Sequence, residues 1–162
     1  MKWKKENINT DLVREFSSRF DIDLLTAAIL VRRGVESYEE AAYYLENDVR
    51  FLHNPFLLSE MADAVERIRD AAEEGENVFI FGDRDADGIT STVLLYQELK
   101  KHGIEAGWRL PLGDEPYGLT KAAVDACADS DVTLIITVDC GISNTEEVAY
   151  AAEKGIDTII VD

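Results

Sequence analysis

Asp83, Asp85 and Asp87 stand at alternate positions directly after the apolar run Val78-Phe79-Ile80-Phe81. Three acidic side chains this close repel one another, more strongly in a cleft than in bulk water, and they persist where cations neutralise them. Two more carboxylates end apolar runs of the same kind: Asp139 follows Leu134-Ile135-Ile136-Thr137-Val138, and Asp162 follows Thr158-Ile159-Ile160-Val161. Hard oxygen donors in this number suit Mg²⁺ or Mn²⁺, which bind through a few carboxylates and leave positions for water and a substrate phosphate. Zinc is disfavoured, because no histidine or cysteine pair has ligand spacing. The triplet also matches the opening of a calcium-binding EF-hand loop. That reading fails twice, since the twelfth loop position is Leu94 rather than glutamate and the preceding segment has strand character.

Around these carboxylates lie residues with a structural and a functional reading each. Gly82 and Gly88 flank the triplet and permit turns that bulkier residues resist. Thr90 and Ser91 are expected at a helix start, as N-caps, as contacts to a substrate phosphate, or as both. Tyr117, beside Gly118 in the loop Pro111-Leu112-Gly113-Asp114-Glu115-Pro116-Tyr117-Gly118-Leu119, either packs or stacks on a base, with packing the commoner role for such a tyrosine. Cys140 follows an aspartate but has no activating neighbour, which makes it a small buried thiol. Trp108 is expected in the core, and His53 and His102 lie far from the carboxylates in sequence.

The elements that must position the carboxylates follow from periodicity. From Asp11 to Ala72 apolar residues recur at helical spacing: Leu12, Val13 and Phe16, then Leu24, Leu25, Ala28 and Ile29, with Gly34 closing the second helix. Ser37 and Glu40 form a capping box opening a third helix through Leu45, Pro55 interrupts, and Met61, Val65, Ile68 and Ala72 share one face of a fourth helix stopped near Gly75. Thereafter strands alternate with helices: Asn77 to Phe81, a helix from about Ser91 to His102, Ile104 to Leu110, a helix from Thr120 to about Ala128, and Val132 to Val138. A helix opened by a second capping box, Ser143 with Glu146, and the run Thr158 to Val161 complete the pattern. This predicts an α/β fold with a mainly parallel sheet and helices on both faces, preceded by a helical N-terminal arm. The domain boundary is placed between a helical region over 1–75 and an α/β region over 76–162. In such sheets ligands bind beyond the carboxyl ends of the strands, and all five aspartates fall at that edge.

Composition narrows the function further. With 33 acidic against 16 basic residues the formal charge is −17, which argues against a chain that wraps nucleic acid by bulk electrostatics. Any nucleic-acid contact is local, or is supplied by cations or further polypeptide. Two cysteines give no disulfide framework and point to a reducing compartment. The charged start Met1-Lys2-Trp3-Lys4-Lys5-Glu6 has no apolar leader and no run reaches membrane-span length, so a cytoplasmic protein without membrane contact is expected.

Two motifs carry a family resemblance. The stretch Phe81-Gly82-Asp83-Arg84-Asp85-Ala86-Asp87-Gly88-Ile89-Thr90-Ser91 resembles the first motif of the RecJ-type DHH phosphoesterases, and Thr137-Val138-Asp139-Cys140-Gly141-Ile142-Ser143 the second. The helical part is also similar, in Arg32-Arg33-Gly34-Val35, in Leu52-His53-Asn54-Pro55-Phe56-Leu57-Leu58, and in Met61 to Ile68. The resemblance implies a 5′-to-3′ exonuclease on single-stranded DNA with paired Mn²⁺ or Mg²⁺, acting in repair and recombination, with single-stranded DNA and recombination or repair proteins as partners. By the same resemblance Asp85, Asp87 and Asp139 are catalytic ligands, Asp83 is a ligand or its neighbour, and Asp162 takes the place of the aspartate in the family's Asp-His-His signature. Thr90, Ser91, Tyr117 and Gly118 are the expected substrate contacts. In a two-metal site one carboxylate bridges, and Asp139 is the expected bridge because its strand lies centrally.

The sequence departs from the family in two places. It ends at Asp162, before both histidines of the signature, which predicts an incomplete catalytic domain, inactive alone. The loop from Pro111 to Leu119 lacks the arginine and the glycine usual there, which puts a phosphate contact from it in doubt. Two rivals follow: a DHH phosphoesterase acting on short oligonucleotides, cyclic dinucleotides or pyrophosphate, and a non-catalytic scaffold.

Overall fold

The computed structural model describes residues 7–162, so the charged start over 1–6 lies outside the described residues. Two compact units form, the first ending at Asn54 and the second running from Pro55 to Asp162.

In the first unit three helices enclose a small core: α1 (Thr10–Phe20), α2 (Leu24–Arg32) and α3 (Tyr38–Leu45). Each begins on a residue whose side chain accepts from end amides that have no partner inside the helix. These residues are Asn9, Asp23 and Ser37, the last in the predicted capping box with Glu40. Val13, Phe16, Ala27, Leu30, Val35 and Ala41 fill the interior. A 3₁₀ turn at Val49–Phe51 follows.

In the second unit, a 3₁₀ turn at Pro55–Leu57 leads into α4 (Met61–Glu74). There follow β1 (Asn77–Gly82), α5 (Ala86–Lys101), β2 (Gly107–Arg109), α6 (Lys121–Ala128), β3 (Val132–Val138), α7 (Thr145–Glu153) and β4 (Asp157–Val161). The four strands form one sheet in the order β2-β1-β3-β4, and every pairing is parallel. Helices cover both faces, as buried parallel strands require. Ala71 of α4 and Leu99 of α5 pack with Val78, Ile80, Leu134, Ile136 and Val138 on one side. Ala123, Val124 and Cys127 of α6 and Ala151 of α7 pack with Phe81 and Ile135 on the other.

Helix α4 thus belongs spatially with the sheet, although periodicity groups it with the helical arm. Arg67 fastens it there, donating to Glu76 at 2.7 and 3.0 Å and to Asp157 at 2.7 Å, while Thr133 donates to Glu76.

Three local expectations are corrected. Helix α5 starts at Ala86, five residues before the predicted Ser91, because the Asp85 side chain caps it. Helix α7 opens at Asn144 without the Ser143–Glu146 box, since the Asn144 amide is drawn to Leu119 instead. Trp108 is 57% exposed rather than core, because β2 is an edge strand paired only with β1. Among the described residues no helix is long and apolar enough to cross a membrane.

Candidate metal centre

Strands β1 and β3 lie side by side in the middle of the sheet, and the helices that follow them, α5 and α7, leave to opposite faces. This is the topological switch point of an open parallel sheet, where diverging loops leave a crevice at the carboxyl ends of the strands.

Asp83 leaves β1 directly into that crevice, only 7% exposed. Its Oδ1 is buried and has no hydrogen-bond partner. Two residues later Asp85 caps α5, its Oδ1 accepting from the N–H groups of Asp87 at 3.0 Å and Gly88 at 3.1 Å. From the neighbouring strand comes Asp139, in the left-handed conformation at φ 57°. Aspartate tolerates this region better than most residues, and here the backbone is tied on both sides. The Asp139 N–H donates to the Val161 carbonyl at 2.8 Å, and its carbonyl accepts from the Tyr117 hydroxyl at 2.9 Å. Asp83, Asp85 and Asp139 each offer a carboxylate oxygen, and these atoms all lie within 4.8 Å of one another.

The approach of α5 to β1 needs two small residues. A Cβ on Gly88 would sit 2.4 Å from the Asp83 carbonyl oxygen, and one on Gly82 would sit 2.1 Å from Thr92 Oγ1. Neither glycine has a positive φ, so close approach, rather than the turn anticipated from the sequence, is what requires them.

Electrostatics separates the two nearest carboxyls. The Asp85 carboxyl is held below its usual range by the Gly88 N–H, with help from the Asp87 N–H and a hydrogen bond shared with Asp139. Desolvation pushes Asp139 upward, and the neighbouring charges of Asp85, Asp87 and Asp83 add to it. The two shifts run in opposite directions, as expected of carboxyls that repel one another in mutual contact. A divalent cation would remove that repulsion. Its fit here rests on the donor set, three hard oxygens from two strand ends, and on the buried Asp83 Oδ1 that no protein group satisfies.

The remaining predicted residues are placed around this triad. Asp87 lies in the exposed first turn of α5, outside the 4.8 Å group. Asp162 is also outside it, with Oδ2 accepting from the Ile142 N–H at 2.9 Å. Thr90 and Ser91 are not caps; a turn into the helix, their hydroxyls donate back to the carbonyls of Ala86 and Asp87 at 2.7 and 2.6 Å. Tyr117 exposes 60% of its surface while its hydroxyl reaches Asp139, and Gly118 is buried against Asn144. Cys140 is fully buried, its thiol pushed up to about 11 by desolvation, then by the charges of Asp162, Asp83 and Asp139. His53 packs near Tyr43, and His102 pairs with Glu98, so neither joins the triad.

Two residues of this neighbourhood escaped sequence reasoning. Arg84, within the acidic triplet, donates to the carbonyls of Gly113 and Glu115. Asn144 brackets Leu119, accepting its N–H at 3.0 Å and donating to its carbonyl at 3.1 Å. Both reach partners 25 or more residues away, so no local pattern signals them.

Comparison with known proteins places this geometry among relatives. The model of the DHH family, N-terminal domain, matches residues 77–162. The chain is 34% identical to the single-stranded-DNA-specific exonuclease RecJ of Bacillus subtilis, over all of this chain and 21% of that protein. It is also 34% identical to the RecJ exonuclease of Dickeya dadantii, over 96% of this chain and 27% of that one. Among solved structures it is similar to RecJ of Thermus thermophilus in complex with Mn²⁺, with a TM-score of 0.66 and 25% identity over 95% of this chain and 21% of the other. A second similar structure, exonuclease RecJ bound to manganese, gives a TM-score of 0.58 and 32% identity over 62% of this chain and 26% of the other. The chain thus spans between a fifth and about a quarter of the length of these relatives.

Proposed function

This chain belongs to the DHH family, and from that membership we propose that it forms the metal-binding part of a single-stranded-DNA exonuclease that removes nucleotides from the 5′ end. The observation that carries the reading is the convergence of Asp83, Asp85 and Asp139 at the switch point, with Asp83 Oδ1 buried and unsatisfied. Asp83, Asp85 and Asp139 would hold the divalent cation, with Asp139 at the end of β3 the carboxylate that a pair of ions would share, and Asp87 and Asp162, outside the tight group, would supply further carboxylates. When bound, Mn²⁺ or Mg²⁺ supplies Lewis-acid polarisation of a phosphoryl oxygen and a nucleophile at neutral pH. The manganese in the similar RecJ structures supports that choice of metal.

Substrate contacts are assigned to Thr90 and Ser91 on α5 and to Tyr117 and Gly118 on the facing loop. The exposed Tyr117 ring has the face that base stacking needs. A net charge of −17 leaves little bulk attraction for DNA, so strand binding is assigned to local contacts and to polypeptide of the kind the longer relatives carry. The functional division follows the sequence reading, a helical region over 1–75 and a catalytic region from 76, supported by the family match from residue 77. Two unpaired buried thiols support a reducing, cytoplasmic setting, with DNA repair and recombination as the process.

The test is a nuclease assay of the protein at the length of its relatives, on 5′- and 3′-labelled single-stranded DNA, with Mn²⁺, with EDTA, and with Asp139→Ala. Metal-dependent loss from the 5′ end, abolished by the substitution in a folded protein, is the expected result. Cleavage of dinucleotides without attack on long strands would refute the assignment, as would turnover retained by Asp139→Ala.

A further inference from the structure

Beyond the three carboxylates, the loop from Pro111 to Leu119 is tied down at several points. Arg84 donates with one guanidinium nitrogen to the Gly113 carbonyl and with another to the Glu115 carbonyl, the latter at 2.6 Å. Glu115 in turn accepts from the Leu112 N–H at 2.8 Å and from Arg109. Two residues on, the Tyr117 hydroxyl donates to the Asp139 carbonyl at 2.9 Å. A guanidinium rooted between two aspartates of the first motif is thus connected, through the loop, to the backbone of the aspartate on the neighbouring strand.

We infer that Arg84 is a positioning residue for Asp139, acting through the loop and the Tyr117 hydroxyl. This deepens the metal-site reading and rests on it. Asp139 needs such support because its backbone is left-handed, a conformation that persists when surrounding contacts over-determine it. On one side the support is the Val161 carbonyl, and on the other it is Tyr117. The planar fork of Arg84 suits two divergent carbonyls in a way that a lysine ammonium does not. Both Arg84 and Tyr117 are exposed, so their removal affects the direction of Asp139 more than the stability of the core.

The experiment uses the 162-residue chain without DNA, so any stacking by Tyr117 does not enter. Asp139 backbone resonances are recorded by NMR without metal, and Mn²⁺ affinity is measured by electron paramagnetic resonance, for the parent, Arg84→Gln, Arg84→Lys, Tyr117→Phe and the Arg84→Gln/Tyr117→Phe pair. Both single losses are expected to move the Asp139 resonances and to weaken Mn²⁺ binding about tenfold, the scale for groups that orient a ligand. The pair is expected to be no worse than Tyr117→Phe alone, because the two act in series.

Full recovery with Arg84→Lys would overturn the inference in favour of simple charge, and additive losses would overturn the serial connection. Unmoved Asp139 resonances in Arg84→Gln would overturn it outright. A parent that binds no Mn²⁺ while its Asp139 resonances respond would support the connection and refute the metal reading, which separates the two.

Discussion

Gly88→Ala sets two physical effects of opposite sign against each other. On helix propensity alone the change stabilises, because alanine replaces glycine within α5, worth up to about 1 kcal/mol in a helix interior and less in a first turn. Packing says the reverse. The added Cβ would lie 2.4 Å from the Asp83 carbonyl oxygen and 2.6 Å from the Asp83 carbonyl carbon and amide nitrogen. Reaching an ordinary contact of 3.4 Å requires the helix start and the strand end to part by about 1 Å, and both sides are backbone, so no side chain can rotate away. Overpacking of this kind costs about 1–3 kcal/mol, which against a first-turn propensity gain of less than about 1 kcal/mol leaves a net loss of at most about 3 kcal/mol. The same movement draws Asp85 away from Asp83, opening the triad. Urea denaturation of parent and variant should show the lost stability, and Mn²⁺ titration a weakened site. A Gly88→Ala chain as stable as the parent or more so would refute the close-approach argument and leave propensity as the governing effect.

Two further predictions concern charge. Asp139→Asn should stabilise the metal-free chain at neutral pH while abolishing its stabilisation by Mn²⁺, because asparagine tolerates the left-handed backbone and removes the repelled carboxylate. With its folded pKa raised, Asp139 contributes stability that is full below the unfolded value near 3.8 and is lost as pH rises through the raised value. The variant's advantage in EDTA should therefore vanish at low pH, as melting temperatures across pH will show. At the opposite end of the sheet, Arg67→Ala should cost about 1–2 kcal/mol at pH 7, the scale of charge-assisted hydrogen bonds that solvent still reaches. Glu76 is held below its usual range by Arg67 and then by Thr133, so its contribution is present above about 4.5 and lost as pH falls through the lowered value. Urea titrations at a series of pH values from 7 downward should show the Arg67→Ala deficit shrinking once pH falls through the lowered Glu76 value.

How far the sequence reveals this molecule varies by element. Strands β1 and β3 were legible because continuous apolar runs suit strands buried on both faces of a parallel sheet, and β4, at the edge and more exposed, was legible from its run Thr158 to Val161. The start of α5 was not, since Asp85-Ala86-Asp87-Gly88 carries residues of low helix propensity, and only the Asp85 side chain bonding two amides turns it into a first turn. Trp108 misled because sheet order decides which strand is the edge, and no local pattern encodes order. The Ser143–Glu146 pattern gave way to Asn144, whose partner Leu119 lies 25 residues earlier. For the candidate site, residue types and their place after strands singled out Asp83, Asp85 and Asp139, whose carboxylates the structure brings together. That Asp87 and Asp162 stand outside the tight group depends on which way the chain leaves each strand, and the sequence does not encode that.

The hydrogen bond from the Asp139 N–H to the Val161 carbonyl has a consequence in time. Parallel strands need a crossover between them, so β4 meets β3 only after the chain of α7 has been made. On a ribosome, then, the aspartates of the first motif emerge long before the group that fixes their partner. Asp139 itself waits for another 22 residues before Val161 can restrain its backbone. Until then the first-motif carboxylates lack the fixed partner with which they would hold a cation between strands. Assembly of the centre therefore follows the synthesis of β4, well after its most recognisable residues have emerged.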